Sequence, residues 1–200
     1  MIKKIVKGIL PYLYPYKFAN KVDRYRDILY THWIKNQFSS FGLNSILQRN
    51  LKLEGHESII IGNNVVVGKN STLTARGSYM EKRYTPTILI GDNTFLGEYT
   101  NISAINNITL GSHVLLGRWV TIIDHSHGLF DSMNDANVPP IKRDLFSKGG
   151  IIIDDNVWIA DKVTICPGVH IGKGSIVASN SVVTKNIPPY TMWGGYQQEC

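Results

Sequence analysis

Residues 151–185 read IIIDDNVWIADKVTICPGVHIGKGSIVASNSVVTK, and in that stretch an aliphatic residue returns every six positions: Ile153, Ile159, Ile165, Ile171, Val177 and Val183. The same step runs upstream through Ile61, Val67 and Leu73, then Ile90, Leu96 and Ile102, then Leu110, Leu116 and Ile122. Four residues after each stands Ser, Thr or Val in twelve of the fifteen cases, Gly77, Asn106 and Ile187 being the exceptions, and just after many stands glycine (Gly62, Gly68, Gly91, Gly97, Gly111, Gly117, Gly172). A helix would place its apolar residues at three- and four-residue steps, so the period excludes one. A six-residue period fits a short strand followed by a sharp corner. The aliphatic and the smaller residue two before it then face inward together. Glycine and asparagine are expected to serve the corners, where left-handed backbone angles suit them. Three units make one coil, and stacked coils bury a continuous aliphatic column. The coils begin at Ile61, Ile90, Leu110, Ile153 and Ile171, with Ile108 and Thr109 read as two extra residues between the second and third.

The 200 residues are 43% hydrophobic and 18% charged, which excludes a disordered tail protein and gives enough chain for a real core. No apolar run approaches the length that spans a bilayer. The opening MIKKIVKGILPYLYPYKF has too short an apolar stretch for a signal peptide, and two cysteines, Cys166 and Cys200, are too few for a disulfide scaffold. A cytoplasmic protein is the expectation. The net charge of +6 invites a nucleic-acid reading. Its distribution argues otherwise: the first fifty residues hold nine Lys/Arg against two Asp, and the remaining 150 hold twelve against thirteen acids. The repeat body is nearly neutral, so no nucleic-acid partner is expected. The basic front reads as a helix over ANKVDRYRDILYTHWIKNQF, with Val22, Tyr25, Ile28, Leu29, Trp33 and Ile34 at helical steps. SILQRNLKLEG follows as a first strand capping the open end of the column. A division into a basic helical and capping segment (1–55), a repeat domain (56–195) and a tail (196–200) results. The front, rich in Tyr12, Tyr14, Tyr16 and Phe18, is a candidate for peripheral contact between residues 1–50 and an anionic membrane.

The stretches ITLGSHVLLGRWVTIIDHSHG and VWIADKVTICPGVHIGKGSIVASNSVVTKNIPP resemble the hexapeptide-repeat acyltransferases, and among them the galactoside and maltose O-acetyltransferases and the surface-polysaccharide O-acetyltransferases. The likeness covers about residues 55–195. It implies an all-β solenoid, a left-handed parallel β-helix, assembled as a homotrimer. It also implies acetyl-CoA as donor, a sugar or glycan hydroxyl as acceptor and no metal. His127 matches the family's catalytic histidine. Histidine titrates near neutral pH and can take the proton of a sugar hydroxyl as it attacks the thioester. Trp158 matches the tryptophan beside the donor thioester. Ala160, Asp161 and Ser179 match positions whose backbone holds pantetheine, with Ala160 in place of the commoner glycine. Thr184 and Lys185 match the phosphate end of the CoA site. The chain ends GGYQQEC where the family continues with a basic CoA contact.

Two interruptions lack the pattern, residues 74–88 and 128–149, and long interruptions inside a compact repeat are usually functional. His127 stands at the root of the second. On the repeat, Ser126 takes an inward position and His125 a corner, while Asp124 is either a support for the His127 imidazole or a turn residue. Lys142, Arg143 and Lys148 in the interruption face either an anionic sugar or solvent. His170 is the eighteenth residue of its coil, as His127 is of the one before. The two would then share a column roughly 4.8 Å apart, with His170 lowering the His127 pKa or simply solvated. Alternative readings are a zinc hydrase of carbonic anhydrase type, using His113, His125, His127 and His170, and a non-catalytic β-helix binding subunit.

Overall fold

The structure, a computed structural model, describes residues 12, 15–129 and 137–194. The first eleven residues, Tyr14, part of the second interruption and the tail with Cys200 lie outside the described residues. The chain visits three parallel sheets in turn. The first sheet holds Ser40–Phe41, Ile59–Ile61, Thr87–Ile90, Asn107–Leu110, Ile151–Ile153 and His170–Ile171. The second holds Ile46–Leu47, Val66–Val67, Phe95–Leu96, Leu115–Leu116, Trp158–Ile159, Ile176–Val177 and Met192–Trp193. The third holds Lys52–Glu54, Thr72–Ala75, Asn101–Ala104, Thr121–Ile123, Thr164–Ile165 and Val182–Val183. Strands of successive coils pair in register, Phe95 with Leu115 and Leu115 with Trp158 on the second sheet. All fifteen aliphatic positions of the six-residue step are buried at 1% exposure or less. The inward partners two residues earlier are buried as well, among them Val65, Thr94, Val114, Val157 and Ser175.

The glycines and asparagines divide the work of the corner differently from the expectation. Residues in left-handed backbone stand two positions after the glycine, Asn64 after Gly62, Asn70 after Gly68 and Asn93 after Gly91, and Asn156 and Asn180 take the same place after Asp154 and Ala178. Their side chains form ladders along the corner, Asn44 Nδ2 to Asn64 Oδ1 at 3.3 Å and Asn64 Nδ2 to Asn93 Oδ1 at 3.1 Å. The glycines are needed because the next coil passes too close for a side chain. A Cβ on Gly97 would overlap the backbone carbonyl of Gly117, and one on Gly117 would overlap the Asp161 carboxylate.

The repeat also begins earlier than residue 56. Ser40–Phe41, Ile46–Leu47 and Lys52–Glu54 pair with the coil above on all three sheets, so residues 40–54 are a complete first coil and not a cap. The cap is the front helix α1 (Tyr16–Ile34) and the turn after it. Ile34 and Phe38 are buried in the end of the aliphatic column, and Phe38 packs 5.5 Å from Phe41. Buried Thr31 ties the helix to the first coil, its Oγ1 accepting from Leu47 N at 2.9 Å and donating to Asp27 O at 2.8 Å. Ile108 and Thr109 are ordinary strand residues paired with Ile88 and Leu89. The two-residue excess falls instead at the corner around Ile105 and Asn106. Among the described residues no helix is long and apolar enough to cross a membrane.

Gly97→Ala should lower stability by roughly 1–3 kcal/mol, because a methyl group there is forced against backbone that cannot move alone. Gly77→Ala, whose added Cβ would have its nearest neighbour at 4.0 Å, should be near neutral; paired urea melts check both.

Candidate active site

The two interruptions of the repeat meet. The first folds into a small antiparallel hairpin, Ser78–Tyr79 against Lys82–Arg83. The second leaves the third sheet after Ile123, and its root Ser126–His127 pairs antiparallel with Leu145–Phe146. Tyr79 donates its hydroxyl to Ile141 O at 2.7 Å and Tyr84 donates to Leu145 O at 3.2 Å. Lys82 and Asp144 form an ion pair at 2.8 Å. His127 lies exposed at this junction, its ring edge-on to Tyr79 with centroids 5.3 Å apart. Tyr79 and Tyr84 carry no repeat signal, and only their place in the first interruption marked them.

Asp124 is the polar centre of the junction. It continues inward from Ile122, takes the buried position that the sequence reading gave to Ser126, and is completely buried. Its Oδ1 accepts from Ile105 N at 2.9 Å and its Oδ2 from Asn106 N at 2.9 Å. These are the N–H groups of the corner with the two-residue excess, so the carboxylate of one coil pins the irregular corner of the coil below. Oδ1 also lies 3.0 Å from Nδ1 of His125, whose side chain is 10% exposed. Asp124 therefore supports His125, not His127. Ser126 is exposed and bonds to Gly128 O at 3.0 Å.

His170 does not share a column with His127. Its strand partner is Ile152, because the chain re-enters the first sheet at Ile151–Ile153 and fills the slot above Thr109. His170 Nε2 lies 3.0 Å from Asp154 Oδ2. The proposed repulsion between the two imidazoles loses its geometric basis. His113 stands in left-handed backbone at a corner between the first and second sheets. Four histidines thus occupy four separate settings. Cys166 is partly buried, and burial pushes its thiol up, with Lys148 opposing more weakly; a thiol so placed is a poor nucleophile. Arg143 is half-buried and donates from Nε to Val138 O at 2.7 Å, while Lys142 and Lys148 are exposed.

The residues matched to a donor site fall on two edges. Trp158, 47% exposed, stands outward on the second sheet between Leu115 and Ile176. Ala160, Asp161 and Ser179 lie at the corner between the second and third sheets. The Asp161 carboxylate is committed to that corner, accepting from Arg118 N at 2.7 Å. Thr184 and Lys185 are exposed at the corner between the third and first sheets, the one at which His127 also departs. The left-handed positions of the first of these edges hold Asn50, Asn70, Tyr99, Trp119, Lys162 and Asn180 in order. Tyr99 and Trp119 are partly exposed there and stacked, with centroids 4.0 Å apart and planes 2° from parallel. Large aromatic side chains in left-handed backbone are uncommon and carry a steric cost. The period could not reveal them, because they occupy outward positions.

Asp124→Ala should cost about 2 kcal/mol or more, since the buried Ile105 N–H and the partly buried Asn106 N–H lose their acceptor. Thermal and urea unfolding measure it.

The chain matches the family described as bacterial transferase hexapeptide (six repeats) over residues 150–185, and that described as hexapeptide repeat of succinyl-transferase over residues 41–77. It is 36% identical over 141 residues to the putative lipopolysaccharide biosynthesis O-acetyl transferase WbbJ of Escherichia coli (strain K12), covering 69% of this chain and 68% of that protein. It is 30% identical over 149 residues to the galactoside O-acetyltransferase of Escherichia coli (strain K12), covering 72% and 66%. Among solved structures it is similar to the hexapeptide-repeat containing acetyltransferase VCA0836 of Vibrio cholerae O1 biovar eltor, complexed with acetyl coenzyme A. That match has 28% identity and a TM-score of 0.58, over 84% of this chain and 73% of that one. The N-acyltransferase AntD of Bacillus cereus shares the fold, with a TM-score of 0.68 at 19% identity over 82% of this chain and 84% of that one. On its repeat, its three parallel sheets and these likenesses, the chain belongs to the hexapeptide-repeat acyltransferases.

Proposed function

We propose that this protein moves an acetyl group from acetyl-CoA to a sugar hydroxyl of a surface polysaccharide or its precursor, with His127 as general base. The observation that carries the reading is the place of His127, exposed at the junction where both interruptions of an otherwise regular repeat are bonded together. A regular coil has no need of these segments, so their joint packing marks the point where the scaffold is spent on chemistry. The polysaccharide relatives named for lipopolysaccharide and colanic acid biosynthesis support the acceptor class.

In this reading the acceptor hydroxyl gives its proton to the His127 imidazole as its oxygen attacks the thioester carbon. The tetrahedral intermediate then expels the CoA sulfur, which takes the proton back from the imidazolium. No covalent enzyme intermediate forms, in keeping with the raised thiol of Cys166. Trp158 walls the thioester, backbone at Ala160, Asp161 and Ser179 holds the pantetheine, and Thr184 with Lys185 meets phosphate.

These groups lie on one sheet face and two corners of one chain, and an extended donor laid between two copies would touch both corners at once. A homotrimer of left-handed β-helices supplies that groove three times. The stacked Tyr99 and Trp119 stand on the same edge as Ala160 and Ser179, toward the front of the coil, and are assigned to the acceptor side of the groove. In this reading the enzyme acts in the cytoplasm.

His127→Ala should lower turnover by about 10²–10⁴-fold in a thiol-release assay with acetyl-CoA and a panel of sugars and oligosaccharides, with an unchanged melting temperature. Full activity in that variant would end the general-base assignment. Trp119→Asn, which restores the residue type used at neighbouring corners, should raise the KM for the acceptor and leave that for acetyl-CoA unchanged.

A further inference from the structure

The front helix carries two lines of side chains on opposite faces. Asp23, Asp27, Thr31 and Ile34, spaced by four, four and three residues, face the first coil. Thr31 and Ile34 are buried. Arg49 of that coil binds both carboxylates, Nη2 to Asp23 Oδ1 at 2.9 Å and Nε to Asp27 Oδ1 at 2.8 Å. Val22, Tyr25, Leu29 and Trp33, spaced by three, four and four, form the line on the far side. Tyr25 is 58% exposed, Leu29 69% and Trp33 72%. A surface helix normally turns its apolar line toward the core. Here the side facing the first coil mixes Asp23, Asp27 and Thr31 with Ile34 and with Tyr30, which packs against the core, and the outer line is apolar.

The charges follow the same division. Residues 16–35 hold Lys17, Lys21, Arg24, Arg26 and Lys35 against Asp23 and Asp27, a net of +3. Both acids are on the inner line, paired with Arg49, and Asp23 is also 3.7 Å from Arg26. At roughly 100° per residue, Lys21 borders the outer apolar line on one side and Arg26 on the other. The residues before the helix add Lys3, Lys4 and Lys7 with no acid. An apolar line bordered by cations is the surface of a helix that lies in a membrane interface.

We infer that this outer face seats on an anionic lipid bilayer, with Tyr25, Leu29 and Trp33 entering the interface and the bordering cations meeting lipid phosphates. Charge complementarity selects this occupant over a second copy of the chain, since pairing two such faces brings two net-positive helices together. The helix caps the first coil, and His127 departs from the fourth, three strand spacings or roughly 14 Å farther along the axis. Seating the helix therefore holds the candidate site close to acceptors carried on lipid. The inference does not depend on acyl transfer, because vesicle binding is read without it.

The test is co-sedimentation of the full chain with phosphatidylglycerol–phosphatidylcholine vesicles and with pure phosphatidylcholine vesicles. Binding to the anionic vesicles should be at least tenfold stronger. Tyr25→Asp and Leu29→Asp should each weaken it at least tenfold, while the melting temperature and thiol release with a soluble acceptor stay at the level of the parent chain. Absence of binding to anionic vesicles overturns the inference, as does undiminished binding by both variants. A change of oligomeric state on Leu29→Asp, read by light scattering, assigns the face to contact between copies and overturns it too.

Discussion

Everything in this protein hangs on the stacking of one coil on the next along the aliphatic column. Each inward Ile, Leu or Val is covered by its counterparts above and below, and the strand spacing leaves no room for variation in that direction. The corners must then come as close as the strands do. This is why glycine recurs directly after the inward aliphatic, where the following coil crosses its backbone. The turn itself is made two residues later, by asparagines in left-handed backbone whose amides bond from coil to coil. Close approach and turning are separate demands, met by separate residues.

A scaffold this regular makes its departures informative. Coil after coil is interchangeable until the chain leaves it, and both long departures come to the same place. Asp124 makes that possible. A carboxylate in a fully buried position is expensive unless its acceptor capacity is used, and here two backbone N–H groups of the corner below and the ring of His125 use it. The irregular corner of one coil and the exit of the next are fixed by a single side chain. The hairpin of the first interruption then leans on the second through two tyrosine hydroxyls and an ion pair, and His127 is presented at the join.

The open end of the column sets a different problem. Ile34 and Phe38 close it, which requires only the last turn of the front helix and the segment after it. The remaining length of the helix is held to the first coil by Thr31 and by Arg49 between two carboxylates, leaving Tyr25 and Leu29 on its far side exposed. Closing the column and presenting that side are thus handled by different stretches of one helix.

The six-residue period by itself determined the coil and its fifteen inward aliphatics from Ile61 to Val183, because burial of an alternating strand is written in local spacing. It also located both interruptions and the helical front, and resemblance singled out His127. What lay beyond it was register. The count of eighteen placed His170 over His127, but the second interruption returns the chain one slot away, so Ile152 takes the place and His170 turns to Asp154. Phe41, Leu47 and Leu53 repeat the six-residue step below Ile61, so residues 40–54 were legible as a coil, and pairing with the coil above places them on all three sheets. The partners of Asp124, the meeting of Tyr79 with His127 and the outward turn of Leu29 and Trp33 were likewise decided by tertiary structure. Each depends on which segment occupies the neighbouring space, and a sequence period carries spacing along the chain but not occupancy across it.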